Sequence, residues 1–276
     1  MKLKYRADID GLRAIAVLSV VIYHFYPSLL PGGFLGVDVF FVLSGYLITK
    51  IISNEIHTGS FSFADFYLRR IKRILPSFFI VLLLTLLASI FLFEQADLNS
   101  VIKAAISSLF FASNVNFAIG LDYFSSNASE QPLLHFWSLS VEEQYYFIMP
   151  IIIILCFRHL RSNFVTYIFL FIFLSSIILA TYLSYNHIYE SMSYYLLPTR
   201  MYAMVLGSLI VLTKIDQKDF SMCSDYTVLL FIVLILSFFF LDKNFLFPGA
   251  GGLLPIVCVA GIIILGNKGN SSSYKL

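Results

Sequence analysis

Apolar runs near the length a bilayer demands, about 20 residues, alternate along the chain with short polar connections. They cover residues 12–29, 34–53, 74–94, 99–119, 138–157, 164–184, 199–213, 226–241 and 252–266. In hydrocarbon, backbone polar groups must be paired within the protein, so each run predicts a helix. The expected fold is all-α: a polytopic transmembrane helical bundle of eight to nine segments, forming one domain over residues 1–276. No internal repeat, heptad pattern, metal-ligand spacing or GxGxxG loop breaks the pattern.

The run 99–119 fits least well, because it holds Lys103, Asn114, Asn116 and several serines. Basic residues collect at Lys2/Lys4/Arg6, Lys50/Arg69–Arg73, Arg158/Arg161, Lys214/Lys218 and Lys268/Lys275. Excess Lys and Arg mark the cytoplasmic side. All five clusters fall there if 99–119 is re-entrant or interfacial, which puts the N-terminus in the cytoplasm. Residues 120–137 then lie on the outer face beside a polar cavity.

Composition agrees: 59% of residues are hydrophobic and 12% charged, with a mean hydropathy of +0.87. Soluble domains are nearer a quarter charged, so membrane lipids are the expected surroundings and no nucleic-acid partner is expected. Cys156, Cys223 and Cys258 lie far apart and form neither a disulfide framework nor a CxxC pair. Asp8, Asp10 and Arg13 interrupt the approach to the first run, so it reads as a retained span rather than a cleaved leader. Asn127-Ala128-Ser129 and Asn270-Ser271-Ser272 match a glycosylation sequon, a frequent chance pattern.

Candidate chemistry starts in the first hairpin, Leu12–Ile52, where Arg13, His24 and Asp38 interrupt apolar sequence around a Pro31-Gly32-Gly33 turn. Ionisable groups inside a span are costly and mark function by default. Arg13 and His24 are eleven residues apart, so they share one helical face with a rise of roughly 16 Å between them. The bland alternative is an interfacial arginine and a hydrogen-bonded core histidine. His24 and Asp38 each lie seven residues from Pro31. A symmetric hairpin would bring them to one depth, where the carboxylate orients the imidazole. Asp38 is equally explained as a first-turn cap of the second helix. Gly36, Ser44 and Gly45 are expected to let the two helices approach closely.

Residues 69–73 carry four cations in five positions. They serve either as a topology anchor or, through Arg70 and Arg73 at i,i+3, as a phosphate site. At 137–146, Trp137, Ser138, Glu142, Tyr145 and Tyr146 open another span. Glu142 facing inward with Ser138 suggests a polar cavity able to hold a sugar hydroxyl, and Trp137 and the tyrosines also suit a membrane-interface belt. Arg200, after Pro198-Thr199, is expected near an outer edge with its side chain turned inward.

These residues resemble the membrane-bound acyltransferase-3 family, typified by bacterial O-antigen acetylases. The resemblance rests on Tyr5–Ala14 followed by His24, on Gly36–Gly45, on Arg69-Arg70-x-x-Arg73-Ile74-x-Pro76, on Trp137–Gln144 and on Pro198-Thr199-Arg200. It implies an integral O-acyltransferase of the bacterial inner membrane. Such an enzyme moves an acyl group, usually acetyl from cytoplasmic acetyl-CoA, to a hydroxyl of a glycan or lipid-linked saccharide such as O-antigen or exopolysaccharide, without a metal. By the same resemblance His24 is the catalytic base or acyl carrier, Glu142 is part of the active cavity, and Arg13, Arg70 and Arg73 contact CoA phosphates. The hairpin reading adds Asp38 as the imidazole's partner, and Trp137, Ser138 and Arg200 are expected from their own positions to contact the acceptor. Tyr145 replaces the family's usual Phe, and Arg6-Ala7-Asp8 a common Arg-Pro-acidic start. Members usually continue past the position of Leu276, so a C-terminally truncated chain is expected. The competing function is a polytopic carrier or flippase that uses the same buried charges to bind a polar or lipid-linked solute.

Overall fold

The computed structural model describes residues 6–120, 130–160, 162–186, 189–218, 226–242 and 245–266. Both sequons, Cys223, Arg161, Lys2, Lys4, Lys268 and Lys275 lie outside the described residues. Among the described residues eleven α-helices follow one another: α1 (Ala7–Phe25), α2 (Gly36–His57), α3 (Phe63–Leu92), α4 (Gln95–Leu109), α5 (Ser113–Gly120) and α6 (Phe136–His159). The series continues with α7 (Ser162–Tyr185), α8 (Glu190–Tyr195), α9 (Leu197–Leu212), α10 (Tyr226–Phe240) and α11 (Leu253–Leu265). Among the described residues there is no strand.

Among the described residues five stretches are long and apolar enough to cross a membrane: Gly33–His57, Phe63–Leu92, Phe136–His159, Asn163–Tyr185 and Glu190–Leu212. Two shorter apolar helices, α10 and α11, accompany them. This is the expected all-α membrane bundle. Run 99–119 is not one helix. It divides into α4 and α5 around Phe111, whose φ of 50° is left-handed. Asn114 is satisfied by protein: its Nδ2 donates to Gln144 Oε1 and to the Tyr195 carbonyl, and its Oδ1 accepts from Gln144 Nε2. Irregular backbone of this kind is tolerated at depth where protein covers it.

Helix α2 is the centre of the bundle. Its Val42, Tyr46, Thr49 and Ile52 are fully buried. It meets α9 backbone to backbone: a Cβ on Gly45 would lie 1.8 Å from the Met204 carbonyl, and one on Gly207 2.1 Å from the Val42 carbonyl. Small residues permit this approach where lipid gives helices no hydrophobic drive to associate. Gly36 lets α2 meet α1, since its Cβ would lie 2.4 Å from Ser19 Oγ. The three small residues expected to join α1 and α2 thus split: Gly36 faces α1, Gly45 faces α9, and Ser44 faces α6. Ser62 caps α3 by accepting from Asp65 N at 3.3 Å. That cap starts the helix eleven residues before the expected span, so Arg69–Arg73 are helical and only members three or four apart share a face.

Candidate active site

A cavity of about 520 Å³ opens between α1, α2, α3 and α6. Arg13 of α1, Arg70 and Arg73 of α3, and Glu142 of α6 all line it. Phe40, Leu43, Leu47, Ile74 and Leu139 supply apolar wall. The three arginines predicted to bind one ligand therefore meet in one space, with the predicted carboxylate.

Helical phase selects the arginines. Arg69 points away and binds Glu55 Oε1 at 2.7 Å. Arg70 lies over the Tyr146 ring, its Cζ 3.6 Å from the centroid. Such stacking fixes the guanidinium plane and leaves its edge to donate. Among the described residues neither Arg70 nor Arg73 forms an ion pair, and Arg13 holds only Asp10, at 3.4 Å. Glu142 accepts from Ser44 Oγ at 2.7 Å and lies within the electrostatic reach of Arg70 and Arg73. Positive side chains thus outnumber the two carboxylates that line the cavity, Asp10 and Glu142, which suits a phosphate-bearing ligand.

Arg6, Tyr46 and Lys50 also line the cavity, and sequence reasoning gave them no site role. The Tyr46 hydroxyl donates to Asp216 Oδ2 at 3.0 Å and accepts from Arg6 Nη1 at 3.1 Å. Lys50 binds the same Asp216 oxygen at 2.9 Å. Arg6 further pairs with Asp8 and donates to the Ile263 carbonyl at 2.9 Å. In the sequence Lys50 and Arg6 read as topology markers, and Arg6 also falls within the family-like Tyr5–Ala14 stretch. Their signal was the i,i+4 pair Tyr46/Lys50, which puts a phenol and an amine on one face of α2.

His24 is exposed on α1, one residue from the helix end. Its Nδ1 lies 2.8 Å from the Val20 carbonyl. A carbonyl only accepts, so Nδ1 carries the proton and Nε2 is the basic, outward nitrogen.

Asp38 does not orient His24. Arg200 Nη1 donates to Asp38 Oδ1 at 3.1 Å, and both side chains are wholly buried. Gly36 faces α1, and a residue two positions further is turned by about 200°, so Asp38 faces the opposite side. Capping does not explain it either, since no side-chain cap bond forms at the start of α2.

Arg200 and Trp137 likewise belong to the core rather than to an acceptor wall. Arg200 Nε donates to the Tyr194 carbonyl at 2.7 Å, and its Cζ lies 4.4 Å, 4.6 Å and 5.2 Å from the Tyr194, Phe247 and Trp137 ring centroids. Ser138 donates to the His135 carbonyl at 3.2 Å. Tyr145 meets Ser208 Oγ of α9 at 2.7 Å, away from the cavity. Tyr146 remains with the cavity.

A family model described as an acyltransferase domain, of the acyltransferase-3 type, matches residues 6–273. A protein of Bacillus subtilis strain 168, provisionally named peptidoglycan O-acetyltransferase YrhL, is 35% identical over 280 residues, 95% of this chain and 43% of its own length. A provisionally named O-acetyltransferase of Staphylococcus aureus strain MSSA476 is 35% identical over 272 residues, 93% of this chain and 44% of its own. An uncharacterised Haemophilus influenzae Rd protein is 35% identical over 242 residues, 84% of this chain and 99% of its own. The chain spans less than half the length of the first two relatives. No solved structure matches the chain significantly.

Proposed function

This chain belongs to the acyltransferase-3 family, and on that premise we propose that it is a multi-pass O-acyltransferase of the bacterial inner membrane. It moves acetyl from acetyl-CoA, entering on the cytoplasmic side with the N-terminus, to a hydroxyl of a cell-envelope glycan. The observation that carries this reading is the meeting of Arg13, Arg70, Arg73 and Glu142 in one cavity. Its volume lies within the range of small-molecule sites, roughly 300–1,000 Å³.

The arginines hold the donor's phosphates, and the apolar wall takes its pantetheine arm. The eleven residues from Arg13 to His24, a rise of roughly 16 Å, allow that arm to deliver a thioester toward Nε2. Val20 holds the imidazole in the tautomer that leaves Nε2 basic, the role first expected of Asp38. The name of the B. subtilis relative favours peptidoglycan as the acceptor over O-antigen or exopolysaccharide.

Mass spectrometry of envelope glycans from cells with and without the gene tests this reading. The expected result is loss of O-acetyl groups on deletion. Unchanged acetylation together with lost movement of a lipid-linked saccharide would favour the carrier instead.

A further inference from the structure

Helix α2 runs past two cavities. Through Ser44 and Leu47 it lines the one that holds the arginines, and through Asn54 and His57 it lines a second, of about 310 Å³. Lys50 lines both. From Leu47 to Asn54 the helix rises roughly 10 Å, so the second cavity continues the first toward the end of α2. Lys50, Asn54 and His57 stand at i, i+4 and i+7 and share one face. The facing wall is the turn that follows α9. Lys214 turns the chain there with a left-handed φ of 53°, and Asp216, two residues on, binds Lys50 at 2.9 Å.

Except for Val211, the side chains lining this second cavity are polar. Its carboxylate, Asp216, is buried, and its Oδ2 accepts from Lys50 at 2.9 Å and from the Tyr46 hydroxyl at 3.0 Å. Among the described residues neither Lys214 nor His57 forms an ion pair. The cavity therefore presents two ammonium groups, an imidazole and the side-chain amides of Asn54 and Gln217 around one carboxylate that is already paired. Such a set suits an anion rich in acceptor oxygens. It also differs in kind from the first cavity. Guanidinium forks match phosphate oxygens in pairs, whereas an ammonium acts as a compact point charge. A phosphomonoester, with a charge of about −1.5 to −2 near pH 7, matches several point charges at once.

We propose that this second cavity binds the 3′-phosphate of the donor, the phosphomonoester that acetyl-CoA carries on its ribose. This rests on the acyltransferase reading above. A CoA thioester holds its phosphates in two places: a diphosphate next to the pantetheine arm, and a monoester on the ribose beyond it. With the diphosphate on Arg70 and Arg73, the ribose lies further toward the end of α2, where Lys50 passes from one cavity to the other. Lys214 and His57 bind the monoester oxygens. Lys50, anchored on Asp216 and Tyr46, forms the near side. A thioester without the monoester, such as a dephospho-CoA or an acylated phosphopantetheine, leaves these cations unpaired. The cavity thereby selects the complete coenzyme over shorter donors.

The test is competition binding on the detergent-purified full chain, with acetyl-CoA and acetyl-3′-dephospho-CoA as competitors. The wild type is expected to bind acetyl-CoA about 10- to 100-fold more tightly, the range for losing a hydrogen bond to a charged group. Lys214→Gln and His57→Gln, both at exposed positions, should each cut that preference severalfold. Their affinity for the dephospho thioester should stay at the wild-type value, which also reports an intact fold. Arg73→Ala should instead weaken both thioesters alike. Equal wild-type affinity for the two thioesters overturns the proposal. If inorganic phosphate then raises the melting point of the wild type but not of Lys214→Gln, the cavity belongs to free phosphate. A full preference retained by the Lys214→Gln/His57→Gln double variant also overturns the proposal. A wild-type chain that binds neither thioester overturns the acyltransferase reading, and this site with it.

Discussion

Arg200 and Asp38, 162 residues apart in sequence, form an ion pair at 3.1 Å with neither side chain reaching the surface. Three aromatic rings surround the guanidinium, so the pair is cut off from water as well as lipid. Charges so placed depend on each other. Removing one leaves the other uncompensated at a cost of about 3–5 kcal/mol.

Asp38→Asn should therefore lower the thermal unfolding midpoint of the detergent-purified protein markedly, and the yield of folded chain with it. The double change Asp38→Asn/Arg200→Met removes both charges and should recover part of the loss. Static melting curves for the wild type, both single variants and the double variant would reveal this coupling. Strict additivity would show that the pair contributes nothing as a unit.

His24→Ala should reduce acetyl transfer by about 100-fold or more and leave membrane insertion and donor binding intact. The helix continues only one residue past it, and its ring is exposed, so little packing is lost. Transfer rates from vesicles normalised to chain content provide the check.

Arg70→Ala and Arg73→Ala should each weaken acetyl-CoA binding by about 10- to 100-fold, the loss of a charged hydrogen-bonding partner worth roughly 1.5–3 kcal/mol. Arg70→Lys should restore little, because an ammonium cannot reproduce the planar stack on Tyr146. Competition binding with labelled acetyl-CoA distinguishes these cases. Equal affinity in all three variants would remove the phosphate site.

Glycine substitutions along α1 and α2 should sort by what faces them. Gly45→Ala would put its Cβ 1.8 Å from the Met204 carbonyl and force α2 from α9. Gly11→Ala meets nothing within 4 Å and should stabilise α1 by about 0.5–1 kcal/mol. Parallel melting curves should show opposite signs.

Helices were legible wherever the apolar runs were continuous, because the bilayer length and backbone pairing leave few alternatives. The cavity's cations were legible too: i,i+3 spacing places Arg70 and Arg73 together without knowledge of any other helix. Asp38 was misread because hairpin symmetry says nothing of rotation about the helix axis. Its partner Arg200 also lies too far along the chain for local spacing to find. The same distance hid Asp216 behind Lys50 and Tyr46. Trp137 read as a site residue because aromatic rings at a span entrance suit a ligand wall and a buried cation–aromatic core equally well.

The Arg6 guanidinium touches Asp8 beside it, Tyr46 on α2 and the Ile263 carbonyl on α11, 257 residues away. This clasp has a consequence for the chain's birth in the membrane. At synthesis rates of about 5–20 residues per second, α1 must wait on the order of 10–50 s before its last anchor emerges. For that interval the helix bearing His24 is held at its root only by neighbours made earlier. The cavity that Arg6 lines can take its final shape only when α11 arrives.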